Sequence, residues 1–410
     1  MFDLLIRHAF ITDPLSGFSN RGDIALKDGL IAEVAPAISP QDARETLEAE
    51  GLMLQPGIID ARLSLARDDA GTDACFAAAQ NGATTLVLAA AEPERVFEKL
   101  SRNGCGLTLA LLKTLLPGEN ISGHNPGPDE IESFIVRALK EGAFGIKLLG
   151  AHFPLSPEAT ELCFTSAKRL GAWISVQPGT TSSASAPPLE RIEETIRLAR
   201  GTPFLLTHFD DILRKGSRIP ALLEAHPEVI TEACFQTSDF RPLFDDIAAE
   251  RKSDGNPLVD LMSSQDTPAG GMSVLDFGIS LIQRGLLTPI EFARRTSLIP
   301  ARVLGLAAKG FIAPGADADM LLYDPKRGKA VHVFVAGRSL LSNGVVRGEG
   351  GIFLTTSDGA DALEKHGLSA HVIPGGVPEL SRFFLTNRFR EAPSAKPLIF
   401  PQPSHTGSRI

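Results

Sequence analysis

From about Pro56 to Leu306 short apolar runs alternate with amphipathic segments of helix length, and few architectures accept that pattern. The runs TTLVLAAA, GLTLALL, FGIKLLG, AWISVQ, PFLLTHF, EVITEA and VDLMSS read as seven strands. A further strand around LMLQPGIIDARL makes eight. Segments between them, such as PDEIESFIVRALKEG and SPEATELCFTSAKRLG, open on Ser, Pro or acidic residues and close on Gly, the capping asymmetry of helices. The pattern predicts an α/β fold, a (β/α)8 TIM barrel over residues 56–304. A chain of 410 residues holds one such barrel of roughly 250 residues and leaves room for accessory structure.

The flanks have a different period. FDLLIRHAFIT and DIALKDGLIAEV are strand-like runs separated by Pro14, Gly17, Asn20 and Gly22, as in antiparallel hairpins. After the barrel, KGFIAPGADADMLLYDP and AVHVFVAGRSLLSNGVV read as strands again. Residues 1–55 and 305–350 are therefore expected to form one composite, sandwich-like β domain. Residues 351–410 form a C-terminal extension with a Pro-rich end, FPQPSHTGSRI, expected to lie along the surface or a partner.

Composition narrows the partners. A formal charge of −9 disfavours nucleic acid and anionic membranes, which are bound through clustered Lys and Arg. No run approaches the roughly 18 apolar residues of a membrane span, and MFDLLIRHAF is too interrupted for a signal segment, so the expected location is cytoplasmic. Cys75, Cys105, Cys163 and Cys234 show no CxxC spacing and read as buried free thiols.

Three stretches together resemble the amidohydrolase superfamily, in particular its dihydroorotase and cyclic-amide hydrolase branch, over the chain to about residue 347. LMLQPGIIDARLSL resembles the PGxIDxHxH end of the first barrel strand, where two His normally reach a metal; here those positions are Arg62 and Ser64. GAFGIKLLGAHFPLSPEA places Lys147 at a strand end, similar to the lysine that relatives carboxylate to bridge two metals. Its alternative reading is a mouth lysine paired with an acidic neighbour. ARRTSLIPARVLGLAAKGFIAPGADADMLLYDP is very similar to the family's closing signature.

The resemblance implies further ligand positions. AWISVQPGTT puts Gln177 where a metal-binding His normally stands, LLTHFDD puts His208 in the second-His position, and LMSSQDTPAGG puts Asp266 where the family has both a ligand and a general base. Lys147, His208 and Asp266 are thus retained positions, and Arg62, Ser64 and Gln177 are substituted ones. His152, Asp210, Asp211 and Glu232 are candidate substitutes, with His152 singled out because it follows Lys147 on the same loop. The depleted set implies no resident cofactor, or one zinc ion if the retained positions still bind it. A permanent Arg62 guanidinium repels a divalent cation and is expected to pair with Asp266; otherwise it is a solvated strand-end residue.

Two functions follow from the resemblance. One is a metal-depleted, catalytically impaired relative that binds a small-molecule amide or carbamoyl-type ligand or serves as an assembly subunit, a homo-oligomer with a partner enzyme such as aspartate carbamoyltransferase. The other is an active hydrolase of a linear or cyclic amide, with one metal or none and Asp266 as base.

Overall fold

The computed structural model describes residues 1–64, 72–150, 152–209, 218–234, 250–264, 273–373, 380 and 382–389. Two sheets organise the chain. The first comprises β1 (Phe2–Asp13), β2 (Phe18–Lys27), β3 (Leu30–Ala35), β4 (Ala43–Glu48) and β5 (Met53–Pro56), completed from the far end of the barrel by β14 (Met320–Asp324), β15 (Lys329–Val335), β16 (Arg338–Ser342) and β17 (Val345–Val346). The halves join where β14 runs antiparallel to β5, Met320 opposite Pro56. Ile6, Ile11, Ile24, Leu54, Met320 and Phe334 share one core across that junction.

The second sheet is the barrel: β6 (Ile58–Ser64), β7 (Ala83–Ala90), β8 (Thr108–Leu115), β9 (Gly145–Leu149), β10 (Trp173–Gln177), β11 (Phe204–Leu206), β12 (Val229–Cys234) and β13 (Leu261–Ser263). These eight are parallel and pair in chain order. The ends of the series meet where Ser264 N–H donates to Asp60 Oδ2 at 3.1 Å. Helices cover the outside, and their caps are as the composition predicts. Ser156 caps Pro157–Leu170 by accepting from Ala159 N–H, and Gly171 ends that helix in the left-handed region at φ 67°.

Alternation along each strand sorts the side chains. Ile146, Leu148, Ile174, Val176, Phe204 and Met262 pack outward against helical residues such as Phe134 and Phe164. Val87, Ala110, Leu112, Trp173, Leu205, Ile230 and Leu261 form a second core, which fills the barrel.

The run expected to form one first strand is divided. Met53–Pro56 belongs to the accessory sheet and Ile58–Ser64 to the barrel, with Gly57 between them. A Cβ at Gly57 would lie 2.2 Å from Thr84 Cγ2, so only glycine lets the chain pass that close to β7.

The Pro-rich end FPQPSHTGSRI lies outside the described residues, whereas the start of the extension joins the barrel sheet. β18 (Ile352–Thr355) pairs in parallel with the first half of β8, Ile352 opposite Thr108, whereas β9 pairs with its second half. β19 (Ser369–Val372) adds beside β18. Because β9 pairs with β8 only from Leu112 onward, the edge at Thr108–Ala110 is left open, and Ile352–Leu354 fill it. Beyond, the helix Arg382–Asn387 contributes Leu385, and Phe389 follows, to the barrel-filling core. Arg388, only 3% exposed, donates to Pro227 O at 2.7 Å and Val229 O at 3.2 Å and pairs with Asp260 Oδ2 at 3.0 Å.

Removing one partner of a buried ion pair leaves the other charge uncompensated. Arg388→Ala is expected to destabilise the chain by about 3 kcal/mol, read by urea unfolding; a loss below about 1 kcal/mol would show that the extension does not anchor the barrel floor.

Candidate active site at the barrel mouth

The C-terminal ends of the barrel strands converge on one polar group. Arg62 sits near the end of β6, Lys147 midway along β9, Gln177 at the last position of β10, His208 two residues beyond β11, and Glu232 and Cys234 at the end of β12. In parallel barrels this is the end at which sites are built. Alternation turns Lys147 and Gln177 inward, because their neighbours Ile146, Leu148, Ile174 and Val176 belong to the outer core. Lys147 is 1% exposed, Gln177 8%, Arg62 2% and Glu232 0%. Ionisable groups so deeply placed are costly unless their charges are matched.

The match for Arg62 is Glu232. Arg62 Nε lies 3.8 Å from Glu232 Oε2. Glu232 is on β12, one strand removed from the seam where β13 meets β6, so closure of the barrel creates the pair. The same Oε2 accepts the His208 backbone N–H at 3.3 Å. His208 needs that support, since its backbone stands at φ 58°, a left-handed conformation that costs a non-glycine residue on the order of 1 kcal/mol. Cys234 Sγ lies 3.9 Å from His208 Nδ1, within the range of a thiol hydrogen bond.

Asp60 is a second buried carboxylate beside the pair. Burial pushes its carboxyl up to about 6; bonds from Ser264 and from the Arg62 backbone N–H oppose the rise, and the Glu232 charge adds to it. Its oxygens accept Ser264 N–H at 3.1 Å and Arg62 N–H at 3.5 Å, so it ties the first barrel strand to the last.

The expected positions fare unequally. Arg62, Lys147, Gln177 and His208 reach the mouth. Arg62 is buried rather than a solvated strand-end residue, and among the described residues it pairs with Glu232; the expected pairing with Asp266 lies outside the described residues. Asp266, Asp210 and Asp211 lie outside the described residues. Ser64 is placed by its backbone, opposite Ala89. His152 is exposed on the turn after β9, where its backbone N–H donates to Leu149 O at 2.9 Å, and it does not join the buried group. Asp60 and Cys234 carry no signal in isolation. Glu232 and Cys234 are two apart on one strand, and that spacing places both on the inner face.

The polar residues of the closing signature have a separate task. Lys309 Nζ pairs with Asp319 at 2.5 Å and Asp317 at 3.1 Å, and Asp319 Oδ1 accepts Ala336 N–H at 2.7 Å. They lock the accessory sheet and lie outside the mouth.

No family profile matches the chain. The chain is 21% identical over 392 residues to a dihydroorotase of Pelobacter propionicus, covering 79% of this chain and 90% of that protein. It is 26% identical over 383 residues to an allantoinase of Bacillus velezensis, covering 76% and 83%. Over most of its length the chain is therefore similar to dihydroorotases and an allantoinase. In fold it is similar to the L-hydantoinase of Arthrobacter aurescens, with a TM-score of 0.64 at 18% identity over 86% of this chain and 99% of that one. It is also similar to a D-aminoacylase whose structure concerns a binuclear metal centre, with a TM-score of 0.68 at 16% identity over 85% and 98%.

At the mouth the Arg62 guanidinium takes Glu232 as a counterion. Gln177 offers only a neutral amide there, and among the described residues no three His, Cys, Asp or Glu side chains are arranged to hold a metal ion.

Two stability measurements test the electrostatics. Glu232→Gln should cost about 3 kcal/mol by stranding Arg62, and adding Arg62→Met should recover at least about 1 kcal/mol of it; additive losses in the cycle would dissociate the two residues. For Asp60 the folded carboxyl holds its proton more tightly than the unfolded one, so its contribution to stability falls as pH rises from about 4 to about 6. Relative to wild type, Asp60→Asn should therefore gain roughly 3 kcal/mol in unfolding free energy between pH 4 and pH 7. A flat difference would place the Asp60 carboxyl in an ordinary environment.

Proposed function

We propose that this chain binds a small-molecule amide or carbamoyl-type ligand in the barrel mouth, and that the metal-hydroxide hydrolysis of its superfamily is lost. The carrying observation is the buried Arg62 guanidinium 3.8 Å from Glu232, at a position where relatives carry a metal-binding imidazole. A fixed cation there raises the cost of bringing in a divalent ion and supplies in its place a charge that can face a ligand carbonyl or carboxylate. Lys147 adds a second buried cationic side chain, and Glu232 Oε1, which accepts no hydrogen bond among the described residues, is an acceptor suited to an amide N–H. Together these groups complement a molecule that carries N–H and C=O side by side.

In this reading the protein works as a ligand-binding or assembly subunit, self-associated and paired with an enzyme that handles carbamoyl chemistry, of which aspartate carbamoyltransferase is the type. The second reading is an active hydrolase of a linear or cyclic amide. It is supported by the retention of Lys147, His208 and Asp266 together, with Asp266 as base and at most one metal.

Elemental analysis of the purified native protein decides between a depleted and a surviving centre. Well under one zinc per chain is expected, with stoichiometric uptake only after Arg62→His, Ser64→His and Gln177→His are combined. One firmly held zinc per native chain would overturn the proposal. Calorimetric titration with dihydroorotate and hydantoin tests the ligand class.

A further inference from the structure

The mouth contains a contact that no metal chemistry requires. Strands β11 and β12 run parallel with Leu206 opposite Thr231, which brings the residues just past β11 alongside the end of β12. There Cys234 Sγ meets His208 Nδ1 at 3.9 Å. The His208 backbone is anchored by its N–H, which donates to Glu232 Oε2. A thiol with a base in contact with it is the arrangement that activates a nucleophile. Glu232 Oε1 lies on the same inward face, wholly buried and accepting no hydrogen bond among the described residues, ready to take a ligand N–H beside the thiol.

We infer that Cys234 and His208 form a nucleophile–base pair that accepts acyl groups from activated amides or esters without a metal. This rests on the reading that the mouth is the ligand site. The Sγ–H proton passes to His208 Nδ1 while sulfur bonds to the acyl carbon. The C–N or C–O bond then breaks, and the imidazolium returns the proton to the departing nitrogen or oxygen. Water attacks the thioester with His208 again as base, the C–S bond breaks, the carboxylic acid leaves and the thiol is restored. Hydrolysis is therefore balanced with water as the only co-reactant.

Cys163 is an internal standard. It is as buried as Cys234, but it lies on an outer helix and burial pushes its thiol up to about 12. A difference between the two therefore reports the imidazole and the mouth, since exposure is equal. Native protein is treated with iodoacetamide and, separately, with p-nitrophenyl acetate, and each cysteine is followed by peptide mass spectrometry. Cys234 should be alkylated at least about tenfold faster than Cys163 and should carry an acetyl thioester, with a stoichiometric p-nitrophenol burst that Cys234→Ser abolishes. His208→Ala or His208→Gln, whichever retains the wild-type melting temperature, should slow acylation about a hundredfold. Cys234 reacting no faster than Cys163, or at an unchanged rate in a folded His208 variant, overturns the inference; if neither variant folds, the wild-type comparison decides. Calorimetric binding of dihydroorotate or hydantoin alongside an inert Cys234 would sink this inference alone, whereas failure of both to bind would count against the mouth as a site for that ligand class.

Discussion

A parallel barrel covers both faces of every strand, so an ionisable side chain that points inward must find its countercharge inside. That constraint shapes the mouth of this chain. Arg62 is 2% exposed, and among the described residues Glu232 lies within ion-pair distance of it. Glu232 in turn fixes the His208 backbone in a conformation it would not hold unaided. His208 then meets Cys234, so one ion pair across the barrel seam orders several of the groups with chemical capacity.

The floor of the barrel obeys the same rule with different residues. Arg388 comes from the C-terminal segment and closes on Asp260 and on the Pro227 and Val229 carbonyls at the start of β12. Asp260 also accepts the Thr231 N–H at 2.9 Å and is thereby held in register with the strand that carries Glu232. Nearby, burial pushes the Arg295 guanidinium down to about 9, which still leaves it charged at neutral pH. Among the described residues, an ion pair thus stands at each end of the apolar layers, Arg62 with Glu232 and Arg388 with Asp260.

The closing signature shows how a family pattern can be specific without being catalytic. Its Lys309, Asp317 and Asp319 form an ion-pair cluster that braces the C-terminal half of the accessory sheet. The motif therefore serves architecture, whereas the chemistry depends on side chains around the mouth. Relatives with dihydroorotase and allantoinase names share most of the length of this chain at 21–26% identity.

Much of the architecture could be read before folding because it rests on local periodicity. Two-residue and helical periods announce strands and helices, Ser156 and Gly171 announce their helix ends, and the position of Arg62 within PGIIDARLS points to the cavity. Gly57 hides a boundary, because its necessity comes from Thr84, a residue on another strand. The placement of Ile352–Thr355 against β8 was equally invisible, since an edge that β9 leaves open leaves no trace in either segment. The Arg62–Glu232 pair was decided by closure: only the order in which strands meet brings Glu232 to the guanidinium. Local periods are written in neighbouring residues, whereas charge matching inside a barrel depends on distances between residues that are remote in the chain.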